Sequence, residues 1–235
     1  MSRLKNVTYN IDIVSFNHGV FLDNTPSLKP LIKKVEEGVL QAHIYFKKAQ
    51  QLETNKWIPS CIYAYKSSFL KNSNLRFWEG IIHEDVLYTT MALTCANTIQ
   101  VLPDVLYNYR KREGSITAIN IKTEKSLKDH LFILDSLYGF SKKQIEVKKK
   151  LLLFNFIAQR YVFVIGHSHS ISLDIYNQAT RSLIKKKQVL KLIPNTFYYE
   201  HLETNTGHMF RLLSDYIFKW PRRIYKYQIK SLFSK

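Results

Sequence analysis

The period at which apolar and polar residues alternate changes several times along the chain, and each change marks an element. Residues 11–17, IDIVSFN, alternate with β-branched side chains and predict a strand. Asn17, His18 and Gly19 then read as a turn. The stretch at 30–52, PLIKKVEEGVLQAHIYFKKAQQL, is mixed and mostly polar, which suits a short helix with loops. IPSCIYAYKSSFL (58–70) is compact and aromatic, as expected of a strand entering a short helix. NSNLRFWEG (72–80) is a polar connection with two aromatic anchors.

From residue 85, DVLYTTMALTCAN places Val86, Leu87, Thr90, Met91, Leu93 and Thr94 at helical spacing, which puts Glu84 and Asp85 at the helix N-terminus, where the dipole favours negative charge. TIQVLPDVLYNYRKR (98–112) reads as two short strands divided at Pro103-Asp104. Near residue 122 the character changes. EKSLKDHLFILDSLYGF carries Leu127, Leu131, Leu134 and Leu137 at steps of three and four, an amphipathic helix, and helical patterning continues beyond it. The expectation is an α/β region at 1–122 followed by a helical extension at 123–235.

Composition narrows the class. A hydrophobic fraction of 46% and an aromatic fraction of 14% belong to a folding protein and exclude wholesale disorder. The 35 Lys and Arg outnumber the 18 Asp and Glu, giving a net charge of +17. That excess favours polyanionic surroundings: nucleic acid, phosphorylated ligands or an anionic membrane face. Two cysteines, Cys61 and Cys95, make neither a disulfide framework nor a metal cluster and are expected as buried free thiols, consistent with a reducing cytosol. No secretory signal pattern is visible at the N-terminus. The apolar run LLLFNFIAQRYVFVIG (151–166) contains Asn155, Gln159 and Arg160 and reads as a buried helix rather than a span.

Two constellations carry chemistry. The first is His83-Glu84-Asp85 behind Gly80: a carboxylate pair can hold a general base, or it can do no more than favour the helix N-terminus. The second is Arg110, Arg112, Gly114 and Ser115, where guanidinium groups suit phosphate oxygens and glycine permits close backbone approach; the alternative is a solvated strand end. Tyr107 and Tyr109 read as strand packing. Trp78 is a candidate for stacking on a sugar or for a core anchor. His167 and His169 could form a metal pair, though no acidic or cysteine partner lies nearby in sequence. The C-terminal segment FKWPRRIYKYQIKSLFSK interleaves basic and aromatic residues as a surface segment would.

Phe77, Gly80, His83-Glu84-Asp85, the helix ending near Ala96, Tyr107-x-Tyr109-Arg110 and Arg112-x-Gly114-Ser115 together resemble bacterial family-two glycosyltransferases. The closest match is to enzymes that build capsule, lipopolysaccharide and other surface glycans. The resemblance covers about residues 8–125. It implies a partial GT-A, Rossmann-like domain before the helical region, and inverting transfer from a nucleotide sugar to a glycan or lipid-linked acceptor. By the resemblance Asp85 is the base and Glu84 its neighbour, orienting the acceptor or tuning the site. From their own chemistry, Arg110, Arg112 and Ser115 are candidates for diphosphate or acceptor-phosphate contact, and His83 is either a contact to acceptor or phosphate or a positioned loop histidine. The family also implies Mg²⁺ or Mn²⁺ held by an Asp-x-Asp motif, which this sequence does not contain. IDIVSFN resembles the strand that follows the nucleotide-sugar half. The expectation is therefore an N-terminally truncated form lacking that half, with this strand left as an exposed apolar edge.

Three functional classes follow. The first is a fragment or split glycosyltransferase, working with a complementary N-terminal glycosyltransferase chain, in the cytoplasm or peripherally on the anionic inner face of the plasma membrane. The second is a non-catalytic remnant or partner subunit that binds acceptor, membrane or a complementary chain. The third is a basic nucleic-acid-binding protein. It ranks last and nucleic acid is not the expected partner, because the chain has neither zinc-ligand spacing nor a ribonucleoprotein motif.

Overall fold

The structure is a computed structural model that describes residues 10–22, 29–31, 35–52, 57–111, 123–143 and 145–192. The elements run β1 (Ile13–Leu22), β2 (Lys29–Leu31), β3 (Gly38–Gln41), α1 (Ala42–Gln50), a 3-10 turn (Ser60–Ile62), β4 (Tyr63–Tyr65), α2 (Ser67–Ser73), α3 (Glu84–Cys95) and β5 (Thr98–Lys111). The helices α4 (Glu124–Phe140), α5 (Val147–Ser168), α6 (Leu173–Lys185) and α7 (Lys187–Leu190) follow. This is a mixed α/β fold. The chain divides into two compact units, Met1–Leu153 and Phe154–Lys235. The change of character at residue 122 therefore falls inside the first unit, and α4 belongs with the sheet.

The five-stranded sheet has the order β2-β1-β5-β3, with β4 also paired to β1. β1 and β5 are parallel, and the other pairings are antiparallel. β1 is not the exposed apolar edge expected from the sequence. It has β5 along one side, while β4 pairs with Ile13–Ser15 and β2 with His18–Val20 along the other. The predicted turn at Asn17-His18-Gly19 is likewise absent, because partners on both sides draw these residues into the ladder.

The predicted break at Pro103 is a bulge within one continuous strand. Between Ser15 and Asn17 the β5 partner moves from Val101 to Val105. β5 thus carries extra residues there, and a proline with no N–H to donate is tolerated. The Asn17 side-chain amide donates to the Pro103 carbonyl at 2.7 Å, so that carbonyl keeps a partner. The start of β5 is fixed by Asp12, whose Oδ2 accepts from Asn97 N at 2.7 Å and Thr98 N at 3.2 Å. Upstream, the segment read as a short helix with loops supplies both β3 and α1.

The core lies between the sheet and its helices. Ile13 and Ile99 are fully buried from the sheet, as are Tyr45 and Ala42 from α1 and Ala92 from α3. On the other face Ile11, Val14, Phe16 and Leu102 form a smaller apolar cluster with Ala64. A chain of hydroxyls threads the main core: Ser15 Oγ and Tyr45 Oη are 2.8 Å apart, and Tyr45 and Tyr63 hydroxyls 3.1 Å apart. Tyr63 Oη then donates to the Trp57 carbonyl at 2.6 Å. Each of these three hydroxyls thereby has the partner that burial requires.

The helical pattern after residue 122 is α4, with Leu127, Leu134 and Leu137 fully buried. Its N-cap is Thr123, whose Oγ1 accepts from Ser126 N at 3.2 Å. α5 extends beyond the apolar run, to 22 residues. It is long and apolar enough to cross a membrane by length and composition, yet 61% of its most apolar stretch is buried. Within the second unit the Arg160 guanidinium sits over the Phe156 ring at 5.2 Å. Tyr161 Oη and Ser182 Oγ are 2.9 Å apart, and Lys186 Nζ donates to the same serine oxygen at 2.6 Å.

Burial pushes the Tyr45 phenol up to about 12, with its hydrogen bonds to Ser15 and Tyr63 partly opposing the shift. An unfolded chain releases this proton near pH 10. The stabilisation is thus complete below pH 10 and lost as pH rises through about 12, because the unfolded state deprotonates first. Urea midpoints measured from pH 9 to 12 are expected to fall across that window, less steeply in Tyr45→Phe. At neutral pH the variant is expected to lose about 1–3 kcal/mol, the cost of leaving a buried hydroxyl partner unsatisfied. Equal steepness in the two proteins would count against the assignment.

Candidate functional site

The carboxylate pair sits where its sequence predicts. Glu84 and Asp85 are the first two residues of α3, Glu84 exposed and Asp85 half-buried. No side chain caps this helix; its N-cap, His83, lies in the left-handed region at φ 68°, and Val86 N donates to the His83 carbonyl at 2.9 Å. Three residues earlier Gly80 is also left-handed, at φ 82°. A left-handed non-glycine residue is strained and persists only where its surroundings hold it. Here the His83 ring is gripped: Nε2 lies 2.9 Å from Ser126 Oγ, and the ring centroid is 4.5 Å from that of His130. His130 is itself fixed, with Nδ1 donating to the Ser126 carbonyl at 2.8 Å.

The rest of the loop meets the same helix. Ile82 N donates to Asp129 Oδ2 at 2.8 Å, and Lys125 Nζ donates to the Gly80 carbonyl at 3.3 Å and to Asp129 Oδ2 at 2.8 Å. Trp78 is 55% exposed, which overturns the core-anchor alternative, and its ring centroid lies 5.1 Å from that of Phe132. Phe77, 48% exposed, stacks on Tyr88 at 3.9 Å with the planes 12° apart. The two aromatic anchors read from the sequence are thus surface rings, each backed by a second aromatic.

Of the predicted site residues, Trp78, His83, Glu84 and Asp85 occupy this one loop and helix start. Arg110 stands on a different element, exposed on β5 in register with Phe21 of β1. Arg112, Gly114 and Ser115 lie outside the described residues, as does the basic-aromatic segment after residue 192. Tyr107 is 37% exposed, and its phenol is pushed up first by neighbouring Cys61 and then by burial. Tyr109 meets His18 edge-on at 6.4 Å.

The other candidates make local contacts of their own. His167 Nδ1 donates to the Phe163 carbonyl at 2.8 Å, and the His169 ring packs against Tyr176. Among the described residues no three His, Cys, Asp or Glu side chains gather into a metal site. Cys61 and Cys95 are free thiols, half-buried rather than buried as expected. Burial pushes the Cys95 thiol up, opposed by Lys149 and Lys143. Cys95 lines a cleft of about 360 Å³ with Ser73, Thr94, Phe140, Lys143 and Lys149. That cleft adjoins the C-terminal end of α3, the opposite end from the carboxylates.

Sequence reasoning missed the residues of α4 that touch the loop: Lys125, Ser126, Asp129, His130 and Phe132. The signal available was the pair Ser126 and His130, polar residues one turn apart and buried beside the leucine stripe.

With this geometry in place, the comparisons with known proteins add little. No protein-family model matches the sequence, and no curated protein matches it. Among solved structures the chain is similar to S. aureus TarS, residues 1–349. Identity is 17%, the TM-score is 0.43, and the match covers 79% of this chain and 49% of that one. The chain thus spans about half the length of that structure. A likeness this distant does not bear on substrate or pathway.

Gly80 gives a direct check on the loop. A Cβ there would meet nothing within 4 Å, so a substitution is penalised only through its backbone conformation. Gly80→Ala is expected to cost about 1–2 kcal/mol. Gly139→Ala, in helical backbone with equal space, is expected to gain about 0.5–1 kcal/mol. Chemical denaturation of both variants checks the opposite signs.

Proposed function

We propose that the chain is the acceptor-side part of an inverting family-two glycosyltransferase, acting in bacterial surface-polysaccharide synthesis such as capsule or lipopolysaccharide. It would work with a complementary chain supplying the nucleotide-sugar half, at the inner face of the plasma membrane. The observation that carries the reading is a half-buried Asp85 beside an exposed Glu84 at a helix start, behind a held glycine loop that bears an exposed tryptophan.

In this reading an acceptor hydroxyl gives its proton to Asp85. Its oxygen bonds to the anomeric carbon of the donor as the bond to the nucleoside diphosphate breaks on the opposite face, which inverts the centre. Glu84 orients the acceptor, Trp78 offers a ring to the apolar face of a sugar, and Arg110 with Arg112 and Ser115 contacts phosphate oxygens. His83 lies within the same loop, with its ring engaged by α4. The family implies Mg²⁺ or Mn²⁺, but the described side chains offer no convergent ligand set and the sequence no Asp-x-Asp. The residues here do not fit that group, and every step above uses this chain's own side chains.

Support for a lipid-linked acceptor and a membrane surface comes from the +17 charge and the basic-aromatic C-terminal segment. The test is a sugar-transfer assay with the chain alone and with a candidate donor half. Transfer is expected only from the pair, with kcat reduced about 10²–10⁴-fold in Asp85→Asn, the usual contribution of a general base. Transfer unchanged by Asp85→Asn would remove the base assignment, and robust transfer by the isolated chain would remove the two-part reading. Failure of every pairing would favour the non-catalytic partner.

A further inference from the structure

We infer that α4 is part of the site rather than of a separate helical region, and that Asp129 on it is a positioning residue for the Glu84–Asp85 pair. The inference rests on the reading of that pair as the acceptor-side carboxylates.

The contacts run the length of the loop. Phe132 backs Trp78, Lys125 holds the Gly80 carbonyl, Asp129 holds the Ile82 N–H, and Ser126 with His130 grips the His83 ring. Two of these read backbone rather than side chain. Lys125 donates to a carbonyl and Asp129 accepts from an N–H two residues on, while the pair is itself joined at 2.8 Å across one helical turn. A single i,i+4 ion pair thus satisfies one acceptor and one donor of a loop that has no ladder to satisfy them. The Asp129 side chain is only 13% exposed, so its hydrogen bond is shielded from competing water, whereas the Lys125 side chain is 58% exposed.

The loop needs such a hold. It contains two left-handed residues, one of them a histidine, immediately before the helix that carries the carboxylates. A base misplaced by about 1 Å can lose about 10²-fold in rate. α4 does not need these contacts for its own sake, because its buried leucines and Thr123 cap already secure it. Their convergence on one loop therefore points to that loop as what they serve. Asp129 is the centre of the set, since its Oδ2 alone meets both the loop backbone and Lys125.

The experiment compares Asp129→Ala and Asp129→Asn with the unmodified protein. The first readout is amide hydrogen exchange, which does not depend on any transferase activity. Asp129→Ala is expected to speed exchange at Ile82 by about tenfold or more, with the interior amides of α3 unchanged. Asp129→Asn keeps an acceptor for the Ile82 N–H and is expected to retain most of the protection. It also serves as the folded comparison should the alanine variant fail to fold. Unchanged exchange at Ile82 in Asp129→Ala, or equal loss in the asparagine variant, would overturn the positioning role.

The second readout is transfer in the presence of a donor half. Asp129→Ala is expected to lower kcat about 10–100-fold, with the acceptor KM changed less than about twofold and activity partly restored by Asp129→Asn. A rise in KM at unchanged kcat would assign Asp129 to acceptor binding and overturn the inference. If the unmodified protein transfers no sugar in any pairing, the functional reading fails, and the exchange data alone decide whether Asp129 holds the loop.

Discussion

The parallel pairing of β1 with β5 is the constraint on which the first unit depends. Two parallel neighbours cannot be joined by a tight turn, so the chain between them must cross a face of the sheet. That connection contains β2, β3, α1, β4, α2 and α3, and α1 packs against β5 and against α3. The pairing is pinned where β5 begins, by the Asp12 carboxylate on the amides of Asn97 and Thr98, and midway along the strand by Asn17 on the Pro103 carbonyl. Both are polar side chains spent on backbone groups, which a hydrophobic pattern does not display.

The same pinning fixes one end of α3. Its last turn leads directly into Asn97, and the buried Lys149 ammonium donates to the Ala96 carbonyl at 2.7 Å and to Asn97 Oδ1 at 3.2 Å. A cation at a helix C-terminus satisfies an orphan carbonyl and complements the dipole. The opposite end of α3, carrying Glu84 and Asp85, is reached only through the loop that α4 holds. A helix fixed at both ends by polar contacts, and buried nearly all round between them, presents its first turn in one position. An ordinary surface helix lacks that fixity.

Much of this was legible in the sequence, and the failures share a physical cause. The strand at Ile13, the carboxylates at the start of α3 and the leucine stripe of α4 followed from period and composition, because burial of apolar side chains determines them. Pro103 and Asn17-His18-Gly19 misled because local turn chemistry was overruled by ladder partners remote in sequence. Trp78 misled differently. A large aromatic residue is a core candidate on composition alone, and only the tertiary position of Phe132 turns it into a surface pair. Asp129 gave no sequence signal of its own, since a carboxylate four residues after a lysine is an ordinary helical ion pair.

The position of β1 also bears on how the first unit folds. An exposed apolar strand would have tied the stability of this unit to further strands from elsewhere. With β2, β4 and β5 around it, β1 is an internal strand whose residues 13–19 are all buried. The first unit therefore has a core of its own, while the carboxylates at its surface have no convergent metal ligands beside them among the described residues. The position of Glu84 and Asp85 is thus set by hydrogen bonds, an ion pair and packing that all lie within the same unit.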